Sequence, residues 1–456
     1  MARQNTKSYK MDMCNGPILS KMLIFAIPLM FSSILQLLFN AADIIVVSRF
    51  AGDNSMAAVG STSSLINLLV NLFVGLSVGA NVLAARYFAA EQEDDLSQTV
   101  HTAIMISLVG GIVLAIGGSL GAHKILEWME SPPEVIDLAS LYLRIFFLGM
   151  PANLIYNFGS ALLRAIGDTK RPLYYLSFAG VVNVVLNLLF VIKFHMDVAG
   201  VAVATVVSQA ISAVLIIRCL MRETGGIQFC FSKFRATPSK VVQISMIGLP
   251  AGFQGIIFSL SNVVIQSSIN SFGNIVVSGS SAAANIEGFV YVAMNSLYQA
   301  TLSFCGQNSV TRNYARIKRI TVIGVCCVLV VGLLLGGLVT IFGRQLVDIY
   351  TDNPDVITEG FIRLSIIAST YAICGMMDVM CGAMRGIGYA VMPMIVSLTG
   401  VCGFRLMWLA TIFTLPQFHT PAMIYISYPI SWTATFLIHV GCFIFAMKKL
   451  ERSSQT

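Results

Sequence analysis

What most restricts this chain is a series of apolar segments, each long enough to cross a bilayer, recurring from near its start to near its end. A membrane-spanning helix needs about 20 such residues at about 1.5 Å of rise each. Hydrocarbon offers no hydrogen-bond partners, so only helices and closed barrels can cross it. The two-residue alternation of a barrel strand is absent, which leaves helices. Composition agrees, with 56% of the 456 residues apolar and 11% charged, whereas soluble domains carry about a quarter charged residues. Twelve spans are expected, near 19–48, 56–84, 98–122, 135–160, 172–193, 198–220, 241–271, 277–305, 319–343, 356–383, 391–415 and 421–447.

Residues 1–17 are polar and basic (Arg3, Lys7, Lys10), and the apolar run that follows, from Ile18 to Val47, is too long for a cleavable signal. With the first segment entering from the cytoplasm, 21 of the 28 Lys and Arg fall on the cytoplasmic side. That bias sets both termini inside and accounts for the net charge of +7 without a nucleic-acid partner. One loop dissents: residues 86–95 hold Arg86 but also Glu91, Glu93, Asp94 and Asp95. The ten cysteines show no metal-ligand spacing, and most sit inside apolar runs, as Cys326, Cys327, Cys374 and Cys381 do, which reads as helix packing.

The chain repeats itself. IPLMFSSILQLLFN matches GLPAGFQGIIFSLSN, with Pro28 and Asn40 paired to Pro250 and Asn262 at an offset of 222. ALLRAIGDTKRP matches GAMRGIGYAVMP, with Arg164, Gly167 and Pro172 paired to Arg385, Gly388 and Pro393 at an offset of 221. Each half has six spans, so both halves enter the membrane from the same side, and the repeat axis runs along the membrane normal. The fold class expected is an all-α membrane protein of two six-helix bundles, 1–235 and 236–456, joined through the polar stretch 221–240. Two such bundles enclose a cleft that rocking exposes to alternate sides. Pro28 and Pro250 each remove a helical hydrogen bond and allow a bend.

These residues resemble the multidrug and toxic compound extrusion (MATE) transporters over nearly the whole chain. NAADIIVVSRFAG after Pro28 is similar to the family's Asp-containing first helix. LLRAIGDTKRP is close to its LRxxGDxxxP turn, AMRGIG with the following MP is the twin of that turn, and FCGQN resembles its GQN turn. The resemblance implies a secondary exporter of cationic or amphipathic organic compounds, driven by H⁺ or Na⁺, with no other cofactor. The chain departs from the pattern at AARYFAAEQ, at Asn187 where relatives carry an Asp, and in the seventh span, which lacks an acid.

Charge inside a bilayer costs about 2.5–3.5 kcal/mol per residue on insertion scales, so Asp43, Glu287, Asp378 and Arg405 need reasons. Asp43 lies six residues before Arg49 and Asn187 six before Lys193, at similar depth; Asn183 shares the face of Asn187, and Thr205 reaches that depth on the next span. One carboxylate, two amides and a hydroxyl can therefore meet in the outer half of the first bundle, with Asn40 one turn below Asp43. Oxygen ligands of this kind suit Na⁺, and a buried carboxylate suits H⁺. The resemblance points to the same Asp43, Asn183 and Thr205 as a cation network. Their repeat counterparts Ile265, Phe404 and Trp408 (the last opposite Asn187) are apolar, so the shared fold does not require the cluster.

Glu287, with Tyr291 and Met294 nearby, and Asp378 are the expected substrate-binding side chains. The alternative for the two acids is a salt bridge to Arg405 or the wall of a water-filled cavity. Arg164 and Arg385, with Gly167 and Gly388, are expected to shape the helix-to-loop turns. A lipid-linked oligosaccharide flippase is the alternative function; it calls for several deep Arg or Lys, and Arg405 is the one the sequence places deep. No GxGxxG, P-loop, HExxH or triad suggests an enzyme, and ATP-driven transport lacks its motif. The expected partners are small-molecule drugs and the lipid bilayer of a bacterial-type inner membrane, with the protein a monomer.

Overall fold

The computed structural model describes residues 9–51, 53–129 and 133–453. The basic residues Arg3 and Lys7 lie outside them. Fifteen α-helices follow in order: α1 (Ile18–Phe50), α2 (Asp53–Ala89), α3 (Glu93–Trp128), α4 (Pro133–Leu148), α5 (Met150–Ala165), α6 (Lys170–Leu188), α7 (Asp197–Met221), α8 (Pro238–Asn270), α9 (Asn274–Val310), α10 (Tyr314–Ile341), α11 (Gly343–Asp348), α12 (Pro354–Gly386), α13 (Val391–Ser397), α14 (Phe404–Ala410) and α15 (Pro421–Ser453). Eleven helical segments are long and apolar enough to cross a membrane. The remaining expected span, the fourth (135–160), is the pair α4 and α5, bent by 48°. Pro151 lies at this bend and has no N–H to give to the carbonyl four residues back. Its repeat counterpart, Ala372, sits inside the unbroken α12.

Two other interruptions widen the helical turn instead of breaking it. Wider, π-type turns occupy Leu189–Lys193 after α6 and Leu398–Gly403 between α13 and α14. Such turns concentrate at functional sites, and each adjoins a polar residue discussed below.

The described chain falls into two compact units. One comprises Met1–Met13 with Phe31–Gly252, the other Cys14–Met30 with Phe253–Thr456. Both divisions lie within helices, α1 and α8, two residues past Pro28 and Pro250. The units of packing therefore differ from the halves of the sequence repeat, because each repeat lends the start of its opening helix to the other unit.

Small residues set the packing. Lipid tails are as apolar as Leu, so helices in a bilayer associate by close van der Waals approach. In the first unit Gly75 and Gly79 of α2 face Gly248 and Gly252 of α8: a Cβ at Gly75 would lie 2.1 Å from the Gly252 nitrogen, and one at Gly79 would lie 2.2 Å from the Ile244 carbonyl. In the second unit a Cβ at Gly375 of α12 would lie 2.5 Å from Val328 of α10 and 2.8 Å from the Met294 sulfur of α9.

The stretch 221–240 is more than a tether. The Gly226 N–H donates to the Glu93 carboxylate, the Thr237 N–H donates to Thr102 Oγ1 at 3.0 Å, and the His101 ring meets the Cys230 backbone at 3.0 Å and stacks on Phe229. Lys240 pairs with Asp95 at 2.5 Å and donates to the Tyr87 hydroxyl at 2.7 Å. The acids that broke the charge rule in residues 86–95 thus anchor this segment, around a cavity of about 350 Å³ lined in part by Asp94, His101, Lys233 and Arg235.

Both repeats close their fourth expected span with the same turn. Gly167 and Gly388 have φ of 90° and 98°, values that favour glycine. Their N–H groups donate to the carbonyls of Arg164 and Arg385, and the next N–H reaches back to Leu163 or Met384. This is the Schellman pattern, which satisfies carbonyls left over at a helix end. The two arginines enter through their carbonyls, and the Arg385 side chain turns inward to bond the Tyr298 hydroxyl at 2.9 Å and Gln254 Oε1 at 2.8 Å.

Candidate functional site

The first unit gathers four of the five residues proposed for a cation. Asp43 comes from α1, Asn183 and Asn187 from one face of α6, and Thr205 from α7. Asn187 Nδ2 donates to the Asp43 carboxylate and, at 3.3 Å, to Asn183 Oδ1. Asn183 Nδ2 donates to Thr205 Oγ1 at 3.4 Å. These bonds form a chain that runs from the Asp43 carboxylate through Asn187 and Asn183 to the Thr205 hydroxyl. Asn183 and Asn187 are buried, and Asp43 is half-buried.

One atom stands outside this chain. A carboxylate can only accept, so the amide nitrogen of Asn187 must face Asp43 and its oxygen must point away. That oxygen, Asn187 Oδ1, is enclosed and has no hydrogen-bond partner. An orphan carbonyl oxygen beside a carboxylate is the donor set a hard monovalent cation takes. Among the described residues no group of three or more His, Cys, Asp or Glu could hold a metal. The cluster sets a single acid among amide and hydroxyl groups.

Asn40 does not join the cluster. It lies three residues before Asp43, about 60° around the helix, and is exposed. Conversely, sequence reasoning missed Tyr142 of α4, a buried phenol within electrostatic reach of Asp43. No spacing rule links residues 43 and 142; the packing of α4 brings them together.

The second unit differs from expectation at Glu287. Its carboxylate is held by both arms of Arg363 on α12, Nε to Oε1 at 3.0 Å and Nη2 to Oε2 at 2.8 Å, while Nη1 donates to Ser280 at 2.7 Å. Tyr425 covers the guanidinium at 5.6 Å. Glu287 is therefore a closed ion pair, not an open carboxylate awaiting a cationic ligand, and its partner is Arg363 instead of Arg405. The count of deep cations changes too, since Arg363 and Arg385 are buried alongside Arg405. Arg363 is balanced by Glu287, and Arg385 bonds neutral partners.

Asp378 of α12 is half-buried, within electrostatic reach of Arg385 and Tyr291. Its repeat counterpart Asn157 instead bonds within its own helix, to Asn153. Tyr291 is partly exposed, and its hydroxyl accepts from Asn295 at 3.4 Å. Met294 is buried against Gly375 and belongs to the α9–α12 packing instead of an open wall. Of the four residues read as a substrate site, Asp378 and Tyr291 keep some exposure; Glu287 and Met294 are occupied.

Comparison with known proteins agrees with the architecture and the repeat. The MatE family model matches residues 28–189 and again 250–410. The two matches begin 222 residues apart and end 221 apart, the offsets of the internal repeat. A probable multidrug resistance protein of Bacillus subtilis, YoeA, is 25% identical over 439 residues, covering 94% of each chain. Another from the same organism, YpnP, is 26% identical over 405 residues, covering 85% of this chain and 86% of its own. A crystal structure of MATE in complex with MaL6 superposes with a TM-score of 0.91 at 21% identity, over 98% of this chain and 100% of that one.

Proposed function

The chain belongs to the MatE family, and from that premise we propose that it is a secondary multidrug exporter, not an enzyme, which moves amphipathic organic compounds out of the cell in exchange for H⁺ or Na⁺. Multi-pass membrane architecture and the names of its relatives support multidrug efflux. The observation that carries the coupling is the orphan Asn187 oxygen beside Asp43.

Its chemistry suits both ions. A proton on Asp43 turns an oxygen that only accepts into one that donates, which reorders the Asp43–Asn187–Asn183–Thr205 chain of hydrogen bonds. Sodium would take the Asp43 carboxylate in place of the Asn187 N–H, and a flip of the Asn187 amide would bring its oxygen round as a second ligand. Either event removes the net charge of a group otherwise costly to keep in the membrane interior. It also ties α1, α6 and α7 to one another, so occupancy can favour one packing of the unit over another. The termini face the cytoplasm in this reading, and one copy of the chain suffices.

The test is dye efflux from proteoliposomes under separately imposed sodium and pH gradients. The gradient that drives rhodamine 6G export identifies the ion. Asp43→Asn should abolish gradient-driven export while the purified protein keeps its thermal stability. Export at the full rate by that variant rules out the Asp43 cluster as the coupling site.

A further inference from the structure

The second unit holds a buried cation that no acid neutralises. Arg405 opens α14, two residues after the π-type turn Leu398–Gly403. It is 5% exposed. Its Nε donates to Ser431 Oγ at 3.0 Å, and its guanidinium lies flat over Tyr428 at 3.7 Å, with Trp432 at 5.4 Å. Nη2 is enclosed and has no hydrogen-bond partner. Among the described residues it forms no ion pair; the groups within its electrostatic reach are Tyr428, Cys374, Cys402 and Tyr371. The buried acid Glu287 is held by Arg363.

An unpaired guanidinium in a membrane interior is costly, and proteins retain such groups where they act. The fold does not demand this one, because its repeat counterpart is Val184. The surroundings are also those of a binding site. Tyr371 and Tyr428 are half-buried, both stand against the buried Trp432 with ring centroids 5.3 and 5.6 Å apart, and together they offer aromatic faces beside the free N–H groups. A planar oxyanion satisfies a guanidinium fork with two parallel hydrogen bonds.

We propose that Arg405 binds the oxyanion, a carboxylate or a phosphate, of an aromatic export substrate whose ring lies against Tyr371 and Tyr428. This rests on the exporter reading and adds a substrate class to it: amphipathic anions and zwitterions, held in the second unit, while the lone acid of the first unit carries the coupling ion.

Two dyes with the same xanthene ring and opposite charge test it. Fluorescein carries a carboxylate, and rhodamine 6G is a cation. Anisotropy titrations on the full-length protein in lipid-free detergent give the ratio of their affinities. Arg405→Gln should lower the fluorescein-to-rhodamine affinity ratio at least tenfold. Arg405→Lys, which keeps the charge and loses the fork, should fall between. The thermal midpoint of Arg405→Gln should hold or rise, because an unpaired buried charge has been removed. An unchanged ratio overturns the proposal, and so does a lowered midpoint with equal loss of both dyes. In the wild-type protein, benzoate should displace fluorescein; displacement by phosphatidylglycerol alone would make this a lipid site and overturn the substrate assignment. Rhodamine 6G export is scored separately, so failure of the exporter reading and failure of the Arg405 site are distinguishable.

Discussion

Replacing Glu287 by Gln removes one charge from a closed pair and leaves Arg363 without its counter-ion. The pair is buried, with side-chain exposures of 10% and 6%, and joined by two hydrogen bonds of 3.0 and 2.8 Å. Ser280 is neutral and cannot take over the charge. Breaking a buried pair from one side costs about 3–5 kcal/mol, or roughly two to four orders of magnitude in the folded-to-unfolded ratio at about 1.4 kcal/mol per decade. Glu287→Gln and Arg363→Met should each show a loss of that order. The double variant should recover much of it, because neither charge is then left buried without its counter-ion. A double-mutant cycle in a reversible detergent denaturation series measures this. Stability unchanged in Glu287→Gln, together with loss of rhodamine 6G binding, would refute the reasoning and restore Glu287 as an open cation site.

Three further outcomes follow from the packing and the turns. Gly252→Leu should destabilise the first unit by at least the roughly 1–3 kcal/mol of an overpacked core, because a Cβ at Gly252 would already lie 2.6 Å from the Leu72 carbonyl of α2; a near-native thermal midpoint would show that α2 and α8 do not approach so closely. Gly167→Ala and Gly388→Ala should each cost about 1–3 kcal/mol for their left-handed backbone, with Gly167 the worse because its Cβ would lie 2.5 Å from Met11; equal, small losses in thermal unfolding would contradict the turn geometry. Asn187→Ala should reduce the affinity for whichever ion drives export, read as a raised half-saturating concentration in proteoliposomes; an unaltered ion dependence would remove its oxygen from the coupling site.

Much of the first unit's site was legible because depth can be counted. Six residues separate Asp43 from Arg49 and Asn187 from Lys193, and helical rise converts equal counts into equal depth. The internal repeat added a control, marking Asp43, Asn183 and Asn187 as polar where the other copy is apolar. The same count put Asn40 one turn below Asp43, but depth alone does not say which side chains bond: Asn40 is exposed and lies outside the bonds that join Asp43, Asn187, Asn183 and Thr205. Glu287 was misread because its partner, Arg363, was counted with the outer charges near the start of its span. Only the close approach of α9 and α12 shows that the two meet. The π-type turns have no sequence signature, so the geometry that presents Arg405 was invisible. Segment 221–240 was read by its Gly and Pro as a joint, whereas the acids that pin it lie over a hundred residues earlier in α3. The glycines of α2 and α8 stood in plain view four residues apart in each helix, and were informative once paired.

The change of allegiance within α1 and α8 bears on how such a chain could have arisen. A polypeptide half this long, carrying one repeat alone, would lack the opening segment that its own bundle needs, which here comes from the other repeat: Cys14–Met30 in one case, the residues up to Gly252 in the other. It could be completed only by trading that piece with a second copy, as swapped dimers do. Duplication and fusion then made a reciprocal loan permanent. Severing the chain near residue 235 would yield two fragments, each incomplete until it recovers the other's first few helical turns.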